Sequence, residues 1–404
     1  MRAKHLRSAG ALRPEHRPTT RDDHGHDAAG LRAAVSGDRR SALRQRDARL
    51  EGFVQPSRVA QPHSGPVPGG RQHPPGAGRA DGSAVGIDGG ECADRGPRFD
   101  APVAHGGYAW WYVDALSDDG RHGLTIIAFV GSVFSPYYAL ARSRGAGDPS
   151  QHCALNVALY GEGIKRWALT ERRSASVRRS RSTLEIGPSS LSWDGTALTI
   201  AIDEITFPLP SRIRGTVRLF PAGLCGHAFA LDHDGRHLWS PIAPCAQVEV
   251  ALTAPALRWS GAGYLDGNAG DAPLESVFSR WHWSRASTPA ATLVHYDVDR
   301  RDGSNLAFSA RFDRSGSVEP LPAPPRVTLP RTGWGIERST RADPGQKVRI
   351  AKTFEDTPFY ARSLVAIEGD GGPGMAMHES LSLQRFRTRW VKWLLPFRMP
   401  RSRR

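Results

Sequence analysis

The reading of this chain turns on residues 108–142, YAWWYVDALSDDGRHGLTIIAFVGSVFSPYYALAR. Two apolar runs, YAWWYVDAL (108–116) and LTIIAFVGSV (124–133), flank the turn signal SDDGRHG. Both runs carry the β-branched and aromatic residues that suit a pleated, half-buried strand. Side chains alternate across a strand, so Trp110, Trp111 and Tyr112 place large aromatics on both of its faces. One face fills a barrel core, and the other lines a cavity or meets a second domain. Plain core packing also accounts for such aromatics.

The same pattern repeats outward from this stretch. ALNVALYG (154–161), KRWALTER (165–172), STLEIGPSSLSWDG (182–195), ALTIAIDEITF (197–207), RIRGTVRLF (212–220) and CGHAFALD (225–232) follow. Then come AQVEVALT (246–253), LRWSGAGYLD (257–266), SRWHWSRAS (279–287), ATLVHYDVDR (291–300), NLAFSARFD (305–313) and KVRIAKTFED (347–356). Gly- and Asp-rich turns separate them. Strands at this spacing predict a sandwich or barrel. The strand count predicts an all-β chain of two antiparallel meander barrels in series, over 98–245 and 246–380. The Pro-rich PLPAPPRVTLP (320–330) reads as a loop in the second.

Residues 1–97 differ. Phe53 is their one Phe, Trp or Tyr, and all eleven Trp and eight Tyr lie later. Such a segment buries too little apolar surface to offset its ordering entropy, so it is expected to be disordered. Its GC-rich composition also fits translation from a start codon placed too far upstream. The end of the chain, 381–404, places Phe386, Trp390, Trp393, Leu394 and Phe397 on one helical face. Eight of the last 20 residues are Arg or Lys. A basic amphipathic helix with Trp suits a membrane surface, and its apolar face equally suits docking on the barrel.

The totals bound the function. The chain has 404 residues, 54 Lys plus Arg against 40 Asp plus Glu, and a net charge of +14. That length suggests more than one domain. With 43 Gly and 31 Pro, a coiled coil or helical bundle is excluded. No run approaches the ~20 apolar residues of a spanning helix. No apolar h-region of a secretory signal is visible at the start. The positive charge permits an anionic lipid or nucleic-acid partner. Nucleic acid is disfavoured, because the aromatics sit in apolar runs and do not interleave with Arg. Cys92, Cys153, Cys225 and Cys245 are too far apart for a CxxC motif and read as buried thiols in a reducing compartment. No P-loop, GxSxG, HExxH or GxGxxG before a helix is present, so no cofactor or metal is expected.

Two polar clusters remain. His237 and Trp239 in HLWSP (237–241) share a strand face, as do Tyr264 and Asp266 in GYLDG (263–267). Trp281 and Trp283 are a third pair two apart. Singly each has a bland reading: Asp266 beside Gly267 as a turn residue, His237 as a hydrogen-bonded core histidine. Together they are the set for acid–base work on an apolar ligand.

Residues 108–142 strongly resemble the carotenoid 1,2-hydratase (hydroxyneurosporene synthase) family. HCALNVALYG (152–161), RWALTER (166–172), GYLDGNAGDAPLESVFSRWHWSR (263–285) and the HLW segment fit it too. The resemblance spans about 98–380 and implies two lipocalin-like barrels. It implies water addition across the C1=C2 bond of acyclic carotenoids such as neurosporene and lycopene, without a redox cofactor. The family's functional His-x-Trp and Tyr-x-Asp pairs fall on His237, Trp239, Tyr264 and Asp266. A carboxyl in an apolar pocket holds its proton near neutral pH, which makes Asp266 the candidate acid. Trp239 and Tyr264 are candidate stabilisers of a tertiary cation by cation–π attraction. Trp281, Trp283, Trp110, Trp111 and Tyr112 are candidate substrate contacts. His237 is expected to orient the attacking water or to hold Asp266. The expected setting is cytoplasmic, peripheral to the inner or intracytoplasmic membrane. A non-catalytic carotenoid or lipid carrier on the same barrels is the alternative.

Overall fold

Strand pairing carries almost the whole chain. The computed structural model describes residues 86–88, 96–369 and 372–402, all within one compact unit. The first sheet contains β1 (Gly86–Asp88), β2 (Tyr108–Ser117), β3 (His122–Val130), β4 (Cys153–Gly161), β5 (Ile164–Arg172), β6 (Val177–Arg179) and β7 (Thr183–Ile186). It continues with β8 (Ser189–Trp193), β9 (Leu198–Ile205), β10 (Arg212–Pro221), β11 (His227–Ala230), β12 (His237–Ala254) and β13 (Ala256–Gly270). Its order is β5-β4-β3-β2-β13-β12-β10-β9-β8-β7-β6, with β11 on β12 and β1 on β11. The second sheet contains β14 (Phe278–Ser287), β15 (Ala291–Arg300), β16 (Asn305–Asp313), β17 (Val318–Leu321), β20 (Lys347–Asp356), β21 (Tyr360–Gly369) and β22 (Gly372–Ser382), in the order β17-β16-β15-β14-β22-β21-β20. A separate hairpin pairs β18 (Arg326–Leu329) with β19 (Arg338–Arg341).

The all-β reading therefore stands, with corrections of detail. The chain changes sheets between Gly270 and Phe278, and residues 245 and 246 lie inside the long strand β12. Part of the Pro-rich stretch read as a loop is strand, because Arg326–Leu329 finds a partner 12 residues on. Within 1–97, residues 86–88 pair with β11, and the rest of the disorder reading lies almost wholly outside the described residues. Cys153, Cys225 and Cys245 are buried, and none forms a disulfide; Cys92 lies outside the described residues.

The period-2 patterns set which face each sheet buries. On β9 the inward positions Leu198, Ile200, Ile202 and Glu204 alternate with more exposed ones. On β2, Ala109, Trp111, Val113 and Ala115 point into the apolar core that the first sheet curls around, with Leu124, Leu155, Val217 and Val248. Tyr108, Trp110 and Tyr112 point the other way, into a second core shared with the opposing sheet. The β2–β3 turn needs Gly120, whose φ is +69°, a left-handed conformation that β-branched residues avoid.

Helices are few. Helix α1 (Pro136–Ser143) starts at Ser135, whose Oγ accepts the Tyr138 N–H at 3.0 Å. Helix α2 (Leu274–Val277) bridges the two sheets in sequence, and α3 (Leu383–Phe386) and α4 (Arg389–Leu394) form the tail. The tail helix expected as one amphipathic element is broken at Arg387 and Thr388, so its faces do not stay in register. The buried set is Leu383, Phe386, Val391, Leu395 and Met399. Trp390, Trp393 and Phe397, expected on the same face as Phe386, stay 45%, 76% and 69% exposed. The chain end is held against the outer edge of β5: Glu171 N donates to Pro400 O at 3.0 Å and Ser402 N to Glu171 O at 2.8 Å. Arg401 pairs with the buried Glu171 carboxylate at 3.1 Å, and His152 Nδ1 sits 3.1 Å from the same oxygen. The amphipathic tail thus docks on the barrel while leaving part of its apolar surface in solvent.

Candidate active site

Three neighbouring strands of the first sheet bring the polar pairs together. In the antiparallel register, Asp266 on β13 stands opposite Tyr112 on β2 and Pro241 on β12. Asn268 stands between Trp110 and Trp239, and Gly270 between Tyr108 and His237. All these positions share one face, because partners directly across a ladder point the same way. Gly270 makes room there: a Cβ at this position would lie 2.6 Å from His237 Nδ1 and 2.8 Å from the Tyr108 ring.

Asp266 is the centre of this face. Trp239 Nε1 donates to its Oδ2 at 2.8 Å, and the Tyr264 hydroxyl donates to the same oxygen at 2.9 Å. Burial pushes the Asp266 carboxyl up to about 8, although both of these hydrogen bonds pull it down; the nearby charges of Glu379 and Asp114 push it further up. With Oδ2 occupied as a double acceptor, the proton belongs on Oδ1. His237 is close by but does not hold Asp266. Its Nδ1 lies 2.9 Å from the Tyr108 hydroxyl, its backbone N–H donates to Asp232 at 2.9 Å, and its Nε2 is buried with no hydrogen-bond partner. Burial lowers its pKa, opposed by Asp232 and Asp271, so the imidazole is neutral.

The second sheet closes over this face with aromatic rings. Trp281 and Trp283 on β14 point toward the first sheet, as does Tyr296 on β15, which packs 5.1 Å from both Trp239 and Trp281. Trp283 lies 5.4 Å from the Tyr264 ring and 5.6 Å from Tyr112. Between the sheets lies a cavity of about 520 Å³, within the range of small-ligand sites. Trp110, Tyr112, Trp281 and Glu379 line its inner end. Trp167, Trp334, Leu394 and Phe397 line its outer part, so the tail forms one of its walls. Asp266 does not line the cavity as it stands. Its cross-strand neighbour Tyr112 does line it, as does Trp281.

The structure thus gathers Asp266, Trp239, Tyr264, His237, Trp281, Trp283, Trp110 and Tyr112 around one interface. Trp111 is not there. It occupies the opposite face of β2, 5.0 Å from Phe99 in the barrel core. Consecutive aromatics on a strand must part in this way. Among the described residues, no three His, Cys, Asp or Glu side chains converge as metal ligands.

Sequence reasoning missed a buried ionic group beside the cavity. Arg362 on β21 and Glu379 on β22 are direct cross-strand partners and form an ion pair. Arg362 Nη1 also donates to the Tyr112 hydroxyl at 2.9 Å. On the first sheet Asp114 pairs with Arg285 of β14. The signal for β21 and β22 was present in the alternation of YARSLVAIEG (360–369) and MAMHESLS (375–382) around GDGGPG (369–374).

An all-β protein of two facing sheets that encloses an apolar, ligand-sized cavity beside a buried carboxyl raised to about 8 is the class that fold and site define. The sequence model of the family described as carotenoid hydratase CrtC matches residues 126–404. The chain is 53% identical to an acyclic carotenoid 1,2-hydratase of Thiocapsa roseopersicina, over 99% of both chains. It is 51% identical to one of Rubrivivax gelatinosus, over 99% of this chain and all of that one. Both alignments reach into the first 97 residues. A hydratase of the same description from Cereibacter sphaeroides is 40% identical over 68% of this chain and 98% of its own length. The chain belongs to the carotenoid hydratase CrtC family. It is an enzyme of the hydro-lyase kind.

Proposed function

We propose that the protein adds water across the terminal C1=C2 bond of acyclic carotenoids such as neurosporene and lycopene, giving 1-hydroxy carotenoids. The observation that carries this reading is Asp266: a buried carboxyl raised to about 8, its Oδ2 occupied by two donors, next to an aromatic cavity open to an apolar chain. An alkene is a weak base, so the reaction needs an acid that is still protonated near neutral pH and is aimed at one carbon. The terminal isoprene unit enters the cavity and turns the Trp281 ring aside to reach Oδ1. Proton transfer to C2 leaves a tertiary cation at C1. Indole and phenol faces stabilise it without trapping it, an attraction worth about 2 kcal/mol or more per ring when desolvated. Water then adds to C1 and loses a proton. The purified protein, incubated with lycopene in isotopically heavy-oxygen water, is expected to yield product carrying the label on a new hydroxyl, read by mass spectrometry. Tight binding with no labelled product would instead make it a carrier.

The long polyene extends beyond a cavity of this size, and the tail supports a setting for the rest of it. Trp390 and Trp393 are exposed beside Trp334, Leu394 and Phe397 at the cavity's outer wall, with Arg387, Arg389 and Arg398 exposed among them. No helix among the described residues is long and apolar enough to cross a membrane. The patch fits a protein that lies on an anionic bilayer and draws its substrate from it, since exposed Trp and Arg together suit the interfacial region. The double variant Trp390→Ala/Trp393→Ala is expected to lower partitioning onto anionic vesicles about tenfold in a sedimentation assay. Activity on detergent-dispersed lycopene should be retained. Unchanged partitioning would remove the bilayer from this reading.

A further inference from the structure

The proposed acid step uses one carboxyl, yet the end of the cavity holds a second one. Glu379 lines that end, and its side chain keeps 18% exposure while its partner Arg362 keeps 1%. Its Oε1 accepts from the Tyr112 hydroxyl at 2.8 Å and from Arg362 Nη2. Oε2 takes neither bond. Arg362 is itself clamped, since its Nε donates to the Tyr360 hydroxyl at 3.0 Å and its Nη1 to Tyr112. The Tyr112 hydroxyl stands 2.9 Å from Asp114 as well, so its single proton serves one carboxylate at a time. The guanidinium of Arg285 satisfies Asp114, which leaves Glu379 as the carboxylate turned toward the cavity.

The two carboxyls sit on opposite sheets and have different partners, neutral donors at Asp266 and a guanidinium at Glu379. Asp266 has only neutral donors, Trp239 and Tyr264, and keeps its proton. Burial raises the Glu379 carboxyl above its ordinary value; the Arg362 guanidinium and the Tyr112 hydroxyl oppose that shift, and Asp114 and Glu355 add to it. A site that must supply a proton on one side of a double bond and accept one on the other needs such a divergent pair.

We propose that Glu379 is a catalytic residue that binds the attacking water through Oε2 and takes its proton. This rests on the hydratase reading. The balance is closed: C2–H forms with the Asp266 proton, C1–O forms with the water oxygen, and one water O–H bond breaks to Glu379. Asp266 is left ionised and Glu379 protonated, and cavity water returns the proton from the second to the first. Arg362 and Tyr112 are positioning residues for this step.

The test is Glu379→Gln, assayed with the wild type and Asp266→Asn on lycopene. Gln keeps an amide oxygen for Arg362 and Tyr112 and lacks only the basicity. Its kcat is expected to fall about 100-fold with KM within about threefold. The loss of rate toward acid that protonating Glu379 causes in the wild type should disappear in the variant. The other titratable groups facing Glu379 are Arg362, Tyr112, Tyr360, Tyr296, Asp114, Asp266 and Glu355, and all are retained. An unchanged kcat and acid limb in a folded Glu379→Gln overturns the assignment while leaving the hydratase reading intact. If that variant does not fold, the wild-type profile decides. A kcat that stays flat toward acid, down to where the fold is lost, overturns the assignment equally. A wild type that forms no product from any acyclic carotenoid overturns both readings.

Discussion

Asp266→Asn is expected to lower kcat for carotenoid hydration by about 10³-fold or more, with binding little changed. General acids contribute about 10² to 10⁴, and an unactivated alkene stands at the demanding end because no heteroatom takes the proton first. Asn is close in shape. Its Oδ1 accepts the Trp239 and Tyr264 donors as Asp266 Oδ2 does, so the ring positions are kept. What is lost is the transferable proton. Wild-type activity is correspondingly expected to fall as pH rises through about 8, where Asp266 ionises. The measurement is product formation by chromatography across pH, together with carotenoid affinity from tryptophan quenching. A folded Asp266→Asn that retains more than a tenth of wild-type kcat would show that another group supplies the proton.

The same substitution is expected to stabilise the fold above neutral pH. The folded protein holds the Asp266 proton to about 8, while the unfolded chain releases it near 3.8. Between these values the native state binds more protons than the unfolded state, so this carboxyl makes stability fall as pH rises through that window. Outside the window its contribution is level. A difference of about four units corresponds to on the order of 5 kcal/mol across the window, an upper figure for a fully buried group. Asn carries no such slope. Urea unfolding at about pH 5 and about pH 9 should show the wild type losing several kcal/mol more than Asp266→Asn. Parallel losses in the two proteins would mean that Asp266 is ionised in the native state. Activity and stability thus move in opposite directions, as expected where a buried polar group is kept for its chemistry.

Much of this architecture is legible locally. The alternation in 108–116, 197–207 and 257–266 places successive residues on opposite faces, and the structure follows it. The pairs His237/Trp239 and Tyr264/Asp266 share their faces for the same reason. Period also explains why Trp111 leaves the site, since Trp110 and Tyr112 occupy the cavity face. The tail is less legible: a pattern continuous in sequence is interrupted by a helix break at Arg387 and Thr388, and only contact with the barrel decides which residues are buried. Strands β21 and β22 carry Arg362 and Glu379 at positions whose side chains look surface-like in sequence, because charged residues are rarely buried unless paired. Their shared partner Tyr112 comes from a distant strand, 267 residues from Glu379 and 250 from Arg362.

The sequence by itself determined the all-β class and the alternation that puts His237 with Trp239 and Tyr264 with Asp266 on shared faces, because strand periodicity is local; that these four are a site was implied by the family resemblance. Only the tertiary structure decided that the two sheets face each other across these residues, that Tyr108 rather than Asp266 holds His237, and that Glu379 meets the cavity. The upward shift of the Asp266 carboxyl belongs to this second group. Desolvation and nearby charge set it, and both depend on which distant strands close over the carboxyl rather than on the residues beside it in the chain.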